Sequence, residues 1–519
     1  MSDPASKPDV VAGAEAASGD ADADAEAGVV SRRRRGLTRA EGRWLLALVI
    51  VGLVLRIAWL VFNHVEPPRH YLESGDQFSY WYYGNGIANG EGVIDYITGE
   101  PAAYYPIGYP AILGGLFWLA KLLPFDVDLM LVVGMFHVVV AAATVPLTFV
   151  VGRRLIGPRA GLVAAGVMAL WPNQIYQVTS LQLEITFVFL VMAALAIIVD
   201  HDWSAGPPSR QRLLAFGAVL AVSALVRPFS LPILLGLLVA LLLTRIGWRR
   251  AVGAVAIPVA VIVLAFVPWT VRNFDAFGEF VPSSTNMGDT LCIDRNLDAQ
   301  GGFRWSTHDG CVDPDLPPVE RNRGNTRKAI EFVIEHPDRE LLQIARRAEL
   351  MFAEDHDGVE AVETMGSGPI FSDGTRNLLE TTADTYFFVV LGTAVLGLPY
   401  LFRRTSRHER WLVLVPYAAL LAIPLLLWGN RRFHLPLAPF LALSTAAFVC
   451  TAEGLVGRWR PSAAGPSTGR PDDEPATEPH GGAGQDGAAE SDRPDATVGD
   501  PVPHGGAGSP STAGSTLGP

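Results

Sequence analysis

The sequence predicts an all-α, polytopic membrane protein. Half of its 519 residues are hydrophobic and the mean hydropathy is +0.28. The chain also contains apolar runs of the length that a membrane-spanning helix needs, since about 20 apolar residues cover a bilayer core about 30 Å thick. Ten such runs predict about ten transmembrane helices: 44–62, 129–151, 160–174, 181–199, 213–226, 229–244, 251–271, 385–402, 411–428 and 434–456.

Basic residues between the runs set the predicted orientation, because Lys and Arg in short connections stay preferentially in the cytoplasm. Arg clusters lie at 32–43, 153–159, 210–212, 245–250 and 403–410, all on one side of a ten-span chain. The loops 64–128 and 273–384 therefore face outward, and both termini are cytoplasmic. The excess of Arg over Lys and the abundance of Ala, Gly and Val favour a bacterial origin, which places the protein in a plasma membrane.

The net charge of −12 comes from the two ends of the chain. Residues 1–30 contain seven acids and one Lys, and residues 461–519 contain nine acids and two Arg. Both segments have almost no large apolar residues and cannot bury enough surface to offset the entropy lost on ordering. We therefore expect three parts: a disordered cytoplasmic acidic tail with a basic flank (1–43), a transmembrane catalytic domain (44–456) and a second disordered cytoplasmic tail (457–519).

Charged side chains gather at the predicted outer ends of the spans. Asp76 follows the first span, Glu184 opens the fourth and Arg227 closes the fifth. Charge within a membrane is costly and usually faces a cavity or a partner, so one outward-facing cavity accounts for the group. Three more Arg belong to it: Arg272, which closes the seventh span, and Arg431 and Arg432, which stand just before the tenth.

This combination suits attack on a group linked to phosphate. The planar fork of Arg matches phosphate oxygens and stabilises charge that develops on a leaving phosphate. A carboxylate such as that of Asp76 can take the proton from an incoming hydroxyl. The leaving phosphate needs no general acid because it departs as a stable anion. One base with several cations therefore indicates sugar transfer from a lipid phosphate.

Five short motifs, in order along the chain, carry a family resemblance. They are Gly75-Asp76-Gln77-Phe78-Ser79-Tyr80, Tyr105-Pro106-Ile107-Gly108-Tyr109-Pro110, Arg227-Pro228, Pro268-Trp269-Thr270-Val271-Arg272-Asn273 and Arg432-Phe433-His434-Leu435-Pro436. Together they make residues 40–455 resemble a GT-C glycosyltransferase of the family 39 type, the superfamily of protein O-mannosyltransferases and of lipid A aminoarabinose transferase.

The resemblance implies a GT-C fold with outward-facing juxtamembrane helices, and inverting transfer of a hexose or pentose from a polyprenyl-phosphate sugar. It places the catalytic base at Asp76, with Glu184 as a second acid. Glu73 is a further candidate acid, and Tyr80, Tyr105 and His434 are further site candidates. The acceptor is a hydroxyl of a glycan, lipid or protein, and the sequence specifies neither acceptor nor sugar. Where eukaryotic protein mannosyltransferases have an Asp-Glu pair, this chain has a single Asp.

Each of these residues also has a structural interpretation. Asp76 could cap a helix at 77–88, because Asp is favoured at helix starts. The Arg residues could snorkel to lipid headgroups. Glu184 could be an interfacial carboxylate paired with an Arg, and Glu73 a solvated loop charge.

The loop 273–384 is too long for a simple connection. Residues 326–352 alternate apolar and charged positions and predict amphipathic helices near the membrane, broken at Pro337. Cys292 and Cys311 lie in this outer loop and predict a disulfide, with two free thiols as the alternative.

The chain has no Gly-rich phosphate loop, no HExxH motif and no zinc-type Cys/His spacing. No cofactor or metal is therefore indicated, although carboxylates near His434 leave a divalent cation open. The expected partners are membrane lipids, the lipid-linked sugar and its acceptor, and not nucleic acid.

Two other functions compete with sugar transfer. A lipid-linked sugar transporter or flippase would also need arginines for a phosphate headgroup. Such proteins tend to bind substrate near the bilayer midplane between repeated halves, and this sequence has no internal repeat. A scaffold whose outer loop binds envelope components is the second alternative.

Overall fold

The structure is a computed structural model that describes residues 36–63, 66–68, 70, 75–203, 206–303, 311, 316–364 and 370–459. The described residues form helices joined by loops, with isolated bridges but no strand, which confirms the predicted all-α class. The α-helices, numbered in chain order, are α1 Arg39–Phe62, α2 Asp76–Asn89, α3 Gly108–Lys121, α4 Leu129–Leu155, α5 Pro158–Leu170, α6 Pro172–Tyr176, α7 Glu184–Val199, α8 Arg210–Val226, α9 Ile233–Leu243, α10 Trp248–Phe277, α11 Met287–Cys292, α12 Pro318–Glu335, α13 Pro337–Phe352, α14 Asp357–Glu363, α15 Asp373–Arg404, α16 Arg407–Leu425 and α17 Ala438–Trp459.

Every predicted apolar run contains a helix, and five of the described helical segments are long and apolar enough to cross a membrane. These five are Arg39–Phe62, Leu129–Leu155, Trp248–Phe277, Asp373–Arg404 and Arg431–Glu453. Three further apolar helices are shorter: Pro158–Leu170, Glu184–Val199 and Pro228–Leu243. The count of ten crossings stays a prediction.

Several helix ends differ from the sequence prediction. The third run, predicted to reach Gln174, ends as a helix at Leu170, because Trp171 is extended and Pro172 starts a new short helix. The eighth run begins at Asp373, where the Ser372 side chain accepts a hydrogen bond from the backbone N–H of Thr375. The last run opens as a 3₁₀ segment, Arg431–Leu437, before α17.

The helix bundle is organised around α4, which packs against α1, α5 and α7. The last helix, α17, packs on α5 and α15. In the contact with α15 the two backbones lie close together, since a Cβ on Gly397 would lie 1.9 Å from the carbonyl oxygen of Ser444. Only glycine permits that approach. The apolar core follows these contacts and includes Trp171, Phe187, Phe216, Phe387 and Phe440, all fully buried.

The described part of the loop 273–384 contains four helices, α11 to α14, before α15 begins. Its two long helices meet at His336 and Pro337, so the break between these helices lies where the sequence predicts it. In the loop 64–128, α2 and α3 pack against each other. Most of the two predicted tails lies outside the described residues, which begin at 36 and end at 459.

Candidate active site

Asp76 is the first residue of α2, and its carboxylate is held by two other segments of the chain. The Tyr105 hydroxyl donates to Oδ1 at 2.5 Å, and the Arg432 guanidinium donates to Oδ2 in an ion pair. The side chain makes no helix cap, because the N-cap residue is Gly75, whose φ of +52° favours glycine. The capping interpretation of Asp76 is therefore wrong, and the carboxylate is turned toward other parts of the chain.

The Asp76 carboxylate is ionised and reachable. Burial raises its pKa, but the charge and hydrogen bond of Arg432, the hydrogen bond from Tyr105 and the charge of Arg227 together outweigh burial, so the pKa lies below that of an ordinary aspartate. A quarter of the side chain, 26%, is exposed, so a second molecule can approach it. The N-terminal position on a helix adds favourable interaction with negative charge.

A second ion pair lies near the first. The Arg227 Nη2 donates to Glu184 Oε1 at 3.0 Å, and Glu184 is nearly fully buried. Glu184 is the first residue of α7, and Arg227 ends α8 just before Pro228. The charge of Arg227 acts on Asp76, and the charges of Asp76 and Glu184 both act on the phenol of Tyr80. The two acid–Arg pairs therefore share one electrostatic environment.

Two close contacts bring these elements together. Gln77 donates to the Ala361 carbonyl at 3.0 Å and accepts from the Leu181 N–H at 2.9 Å, which ties the start of α2 to α14 and to the segment before Glu184. Gly108, at the start of α3, lies so close to α8 that a Cβ would be 2.4 Å from the Leu225 carbonyl carbon. That contact sets α3 against the end of α8, where Arg227 emerges.

Tyr80 lies beside Asp76 on α2. Its ring is edge-on to Tyr105 and Tyr109, with centroids 5.0 and 5.1 Å apart. Burial, then the nearby carboxylates of Asp76 and Glu184, raises the pKa of Tyr80 well above its ordinary value. Tyr80 is a neutral phenol in the wall of the site.

Sequence reasoning missed Asp355 and Asp357. Asp355 is fully buried and accepts hydrogen bonds from Trp171 and Asn173, each at 2.7 Å. Asp357 accepts from Gln177 at 2.7 Å, and burial, opposed by the charge of Arg432, raises its pKa. The sequence feature that could have identified these two residues is the polar run Glu354-Asp355-His356-Asp357, directly after an amphipathic helix.

Three predicted site residues have other contacts. Arg431 makes ion pairs with Glu354 and Glu360. His434 is fully buried, with Nε2 2.8 Å from Asp355 and Nδ1 2.7 Å from the Met351 carbonyl, and so lies behind the site. Arg272 donates to the backbone carbonyls of Ala102 at 2.7 Å and Val93 at 2.5 Å.

Glu73, the remaining acid candidate, lies outside the described residues. Within the described part of the chain, no group of three or more His, Cys, Asp or Glu is placed to hold a metal ion.

The predicted cysteine pair is joined, with the sulfur atoms of Cys292 and Cys311 2.04 Å apart. Cys292 ends α11, and the carbonyl of Cys311 accepts a hydrogen bond from Asn325 on α12. The same Asn325 donates to the buried Asp289 at 2.7 Å. The bridge therefore belongs to a polar network that joins α11 and α12.

Comparison with known proteins finds similarity at the level of solved structures. No family model matches the chain, and no curated protein matches it. An archaeal oligosaccharyltransferase, AglB from Archaeoglobus fulgidus in complex with an inhibitory peptide and a dolichol-phosphate, is 16% identical with a TM-score of 0.45. The match covers 82% of this chain and 52% of that one, so the chain spans about half the length of this relative.

A second similar structure is ArnT from Cupriavidus metallidurans bound to undecaprenyl phosphate. It is 15% identical, with a TM-score of 0.35, and the match covers 79% of each chain. Both identities and both TM-scores are low, and the chemistry of this chain rests on its own site.

Proposed function

We propose that this protein is an inverting glycosyltransferase that moves a sugar from a polyprenyl-phosphate donor to a hydroxyl acceptor at the outer face of the membrane. One observation carries the proposal: an ionised, partly exposed carboxylate, Asp76, is paired with Arg432 beside a second acid–Arg pair, Glu184 and Arg227. A base and two cations at the ends of apolar helices match the needs of a lipid-phosphate donor.

The proposed reaction is a single displacement at the anomeric carbon. Asp76 takes the proton of the acceptor hydroxyl as the acceptor oxygen bonds to that carbon. The bond from the carbon to the phosphate oxygen breaks, and both of its electrons leave with the polyprenyl phosphate. Attack from the face opposite the leaving group inverts the configuration.

The arginines supply the charge that the leaving phosphate needs. Arg227 Nη1 and Arg432 Nε are buried and have no hydrogen-bond partner among the described residues. Leaving a buried donor unsatisfied costs about 1–3 kcal/mol, so each N–H favours an arriving acceptor. A phosphate oxygen is such an acceptor, and Arg binds it more strongly than a neutral donor does.

Donor binding also prepares the base. In the free protein, the ion pair with Arg432 lowers the pKa of Asp76 and so weakens its affinity for a proton. When a phosphate attracts the Arg432 guanidinium, that pair loosens and the proton affinity of Asp76 rises. The base therefore becomes stronger when the donor is in place.

Replacement of Asp76 by Asn tests the proposal, because Asn keeps the size and one of the two acceptor oxygens but cannot take a proton. We expect purified Asp76→Asn protein in nanodiscs to bind undecaprenyl phosphate as the wild type does. We expect its transfer of radiolabelled sugar from undecaprenyl-phosphate mannose, glucose or arabinose to a membrane extract to be at least about 100-fold slower than that of the wild type.

The matched control is Asp95→Asn in the same loop, where the carboxylate accepts from the backbone N–H groups of Ile97 and Thr98. Near-normal transfer by folded Asp76→Asn protein would refute the base assignment. Wild-type protein that moves the lipid-linked sugar across a vesicle membrane without transferring it would favour a flippase instead.

A further inference from the structure

Two buried arginines bind the end of α16, the apolar helix that precedes Arg432. Arg347 donates to the Leu425 carbonyl at 3.0 Å. Arg295 donates to the Leu426 carbonyl at 2.7 Å and to the Leu427 carbonyl at 3.4 Å. Cations stabilise the C-terminal end of a helix, where the last carbonyls lack partners and the helix dipole is negative.

Two acids complete this group. Arg347 pairs with Asp294 at 2.6 Å and with Glu340 at 2.7 Å, and Arg295 pairs with the same Glu340 oxygen at 2.7 Å. Arg347 and Asp294 are fully buried. We name Asp294, Arg295, Glu340 and Arg347 the α16 cap cluster. Its two positive and two negative charges balance, and it comes entirely from the loop 273–384.

The cluster is costly if its role is stability alone. Buried ion pairs lose hydration on folding, and well-packed apolar residues of similar volume often stabilise a protein as well or better. Apolar side chains cannot bind three successive carbonyls, however, whereas Arg347 and Arg295 do, and the two acids balance their charge. The use of charge here therefore indicates that the position of the end of α16 matters.

The end of α16 leads directly to the site. The Gly429 N–H donates to the Gly301 carbonyl at 2.6 Å, and the Gly301 N–H donates to Asp294 at 2.8 Å. The next residue, Asn430, accepts a hydrogen bond from the Arg432 N–H at 2.9 Å. The cap cluster thus holds the chain on the approach to the guanidinium that pairs with Asp76.

We infer that the α16 cap cluster is a positioning device for Arg432, with Arg347 as its central residue. This inference rests on the proposed glycosyl transfer for its effect on turnover, but its structural part does not. None of the four residues touches Asp76, and they act on the reaction through the segment 425–432.

Two variants test the inference. Arg347→Lys keeps the charge but loses the planar fork that serves several acceptors, and Glu340→Gln keeps the volume but removes one charge. We expect both to increase hydrogen–deuterium exchange in the peptide 426–433. Turnover per folded molecule should fall by about 100-fold in Arg347→Lys, since misplacement of a reacting group by about 1 Å can cost that much.

Arg154→Lys is the matched control, because Arg154 is the same kind of device at the end of another helix. It pairs with Glu409 at 2.9 Å and donates to the carbonyl of Val199, the last residue of α7, and to that of His201 just beyond it. It should leave both exchange in 426–433 and turnover unchanged. In an Arg432→Gln background, Arg347→Lys should add no further loss of turnover, because coupled residues are not additive.

The outcomes separate the two proposals. If the wild type transfers no sugar, the proposed function is refuted. Increased hydrogen–deuterium exchange in 426–433 of the two variants would still support the positioning role. Wild-type transfer that both variants retain would overturn the positioning role. Failure of both variants to fold, when Arg154→Lys does fold, would also overturn it by assigning the cluster to stability.

Discussion

At the scale of single residues, the contacts that hold Asp76 in place also weaken it as a base. Burial raises its pKa, but Arg432, Tyr105 and the charge of Arg227 together lower it by more. A carboxylate with a lowered pKa contributes stability above its unfolded pKa and loses that contribution as pH falls through its folded pKa. It is also active as a base to lower pH than an ordinary aspartate would be.

Removal of the Tyr105 hydroxyl should therefore change the pH dependence of transfer. Without that hydrogen bond, the pKa of Asp76 in Tyr105→Phe rises, so the acid-side loss of kcat/KM occurs at higher pH than in the wild type. Tyr104→Phe is the control, because the Tyr104 hydroxyl bonds to Asp289. An acid limb that is unchanged in Tyr105→Phe, or that moves to lower pH, would contradict the assignment.

The arginines differ in what their guanidinium groups already bind. Arg432→Lys and Arg227→Lys keep the charge but lose the fork, so each should weaken binding of undecaprenyl phosphate about tenfold, or about 1.4 kcal/mol. Arg272→Lys loses the bonds to Val93 and Ala102 and should lower the Tm. Native mass spectrometry or tryptophan quenching measures the affinity of these variants for undecaprenyl phosphate. The control is Arg249→Lys, at an exposed position.

Donor affinity that stays at the wild-type value in both Arg432→Lys and Arg227→Lys would exclude these two residues from the phosphate site. A loss of affinity in folded Arg272→Lys would instead extend the site to Arg272.

At the scale of elements, helix ends rather than helix middles carry the site. Asp76 and Glu184 are first residues of α2 and α7, and Arg227 ends α8. Ends are where backbone groups lack partners within the helix and where charged side chains have favourable positions. How the helices pack then decides which ends meet.

The contact of α3 with α8 gives a test at this scale. Gly108→Ala places a methyl group 2.4 Å from the Leu225 carbonyl carbon, so the helices must separate. Overpacking typically costs about 1–3 kcal/mol, and we expect a lower Tm together with reduced transfer, because Arg227 follows the contact. Gly115→Ala in the same helix meets no atom within 4 Å and should be neutral or slightly stabilising. Equal Tm values for the two variants would contradict the close packing.

At the scale of the whole molecule, the open question is topology. Five described helical segments have the length and composition to cross a membrane, and three shorter apolar helices accompany them. The thirteen residues of α5 extend about 20 Å, less than the bilayer core of about 30 Å.

We predict ten crossings, with the loop 273–384 outside and both termini in the cytoplasm. Gly324→Cys in a Cys450→Ala background puts a single free thiol at an uncrowded position of α12. An impermeant maleimide added to intact cells should label it. Reporter fusions at both termini should read as cytoplasmic. Labelling of residue 324 only after the cells are opened would overturn the orientation and the outer-face site.

A helix within each of the ten apolar runs could be predicted from the sequence alone, because apolar run length and helix breakers are local properties. Each of the ten runs contains a helix, and the break between α12 and α13 falls at Pro337, which has no N–H to continue a helix. The local sequence pattern also indicated the charged residues of the site, because they stand at the ends of apolar runs. These residues are Asp76, Glu184, Arg227 and Arg432.

Only the tertiary structure decided which of these charges meet. Asp76 and Arg432 are 356 residues apart in the chain, and their pairing depends on how the helix ends pack. The same packing buries His434 against Asp355, commits Arg272 to backbone carbonyls and brings Asp357 beside the site. The sequence gives the chemistry of each side chain, but long-range packing decides which group that side chain contacts, and no local pattern contains this information.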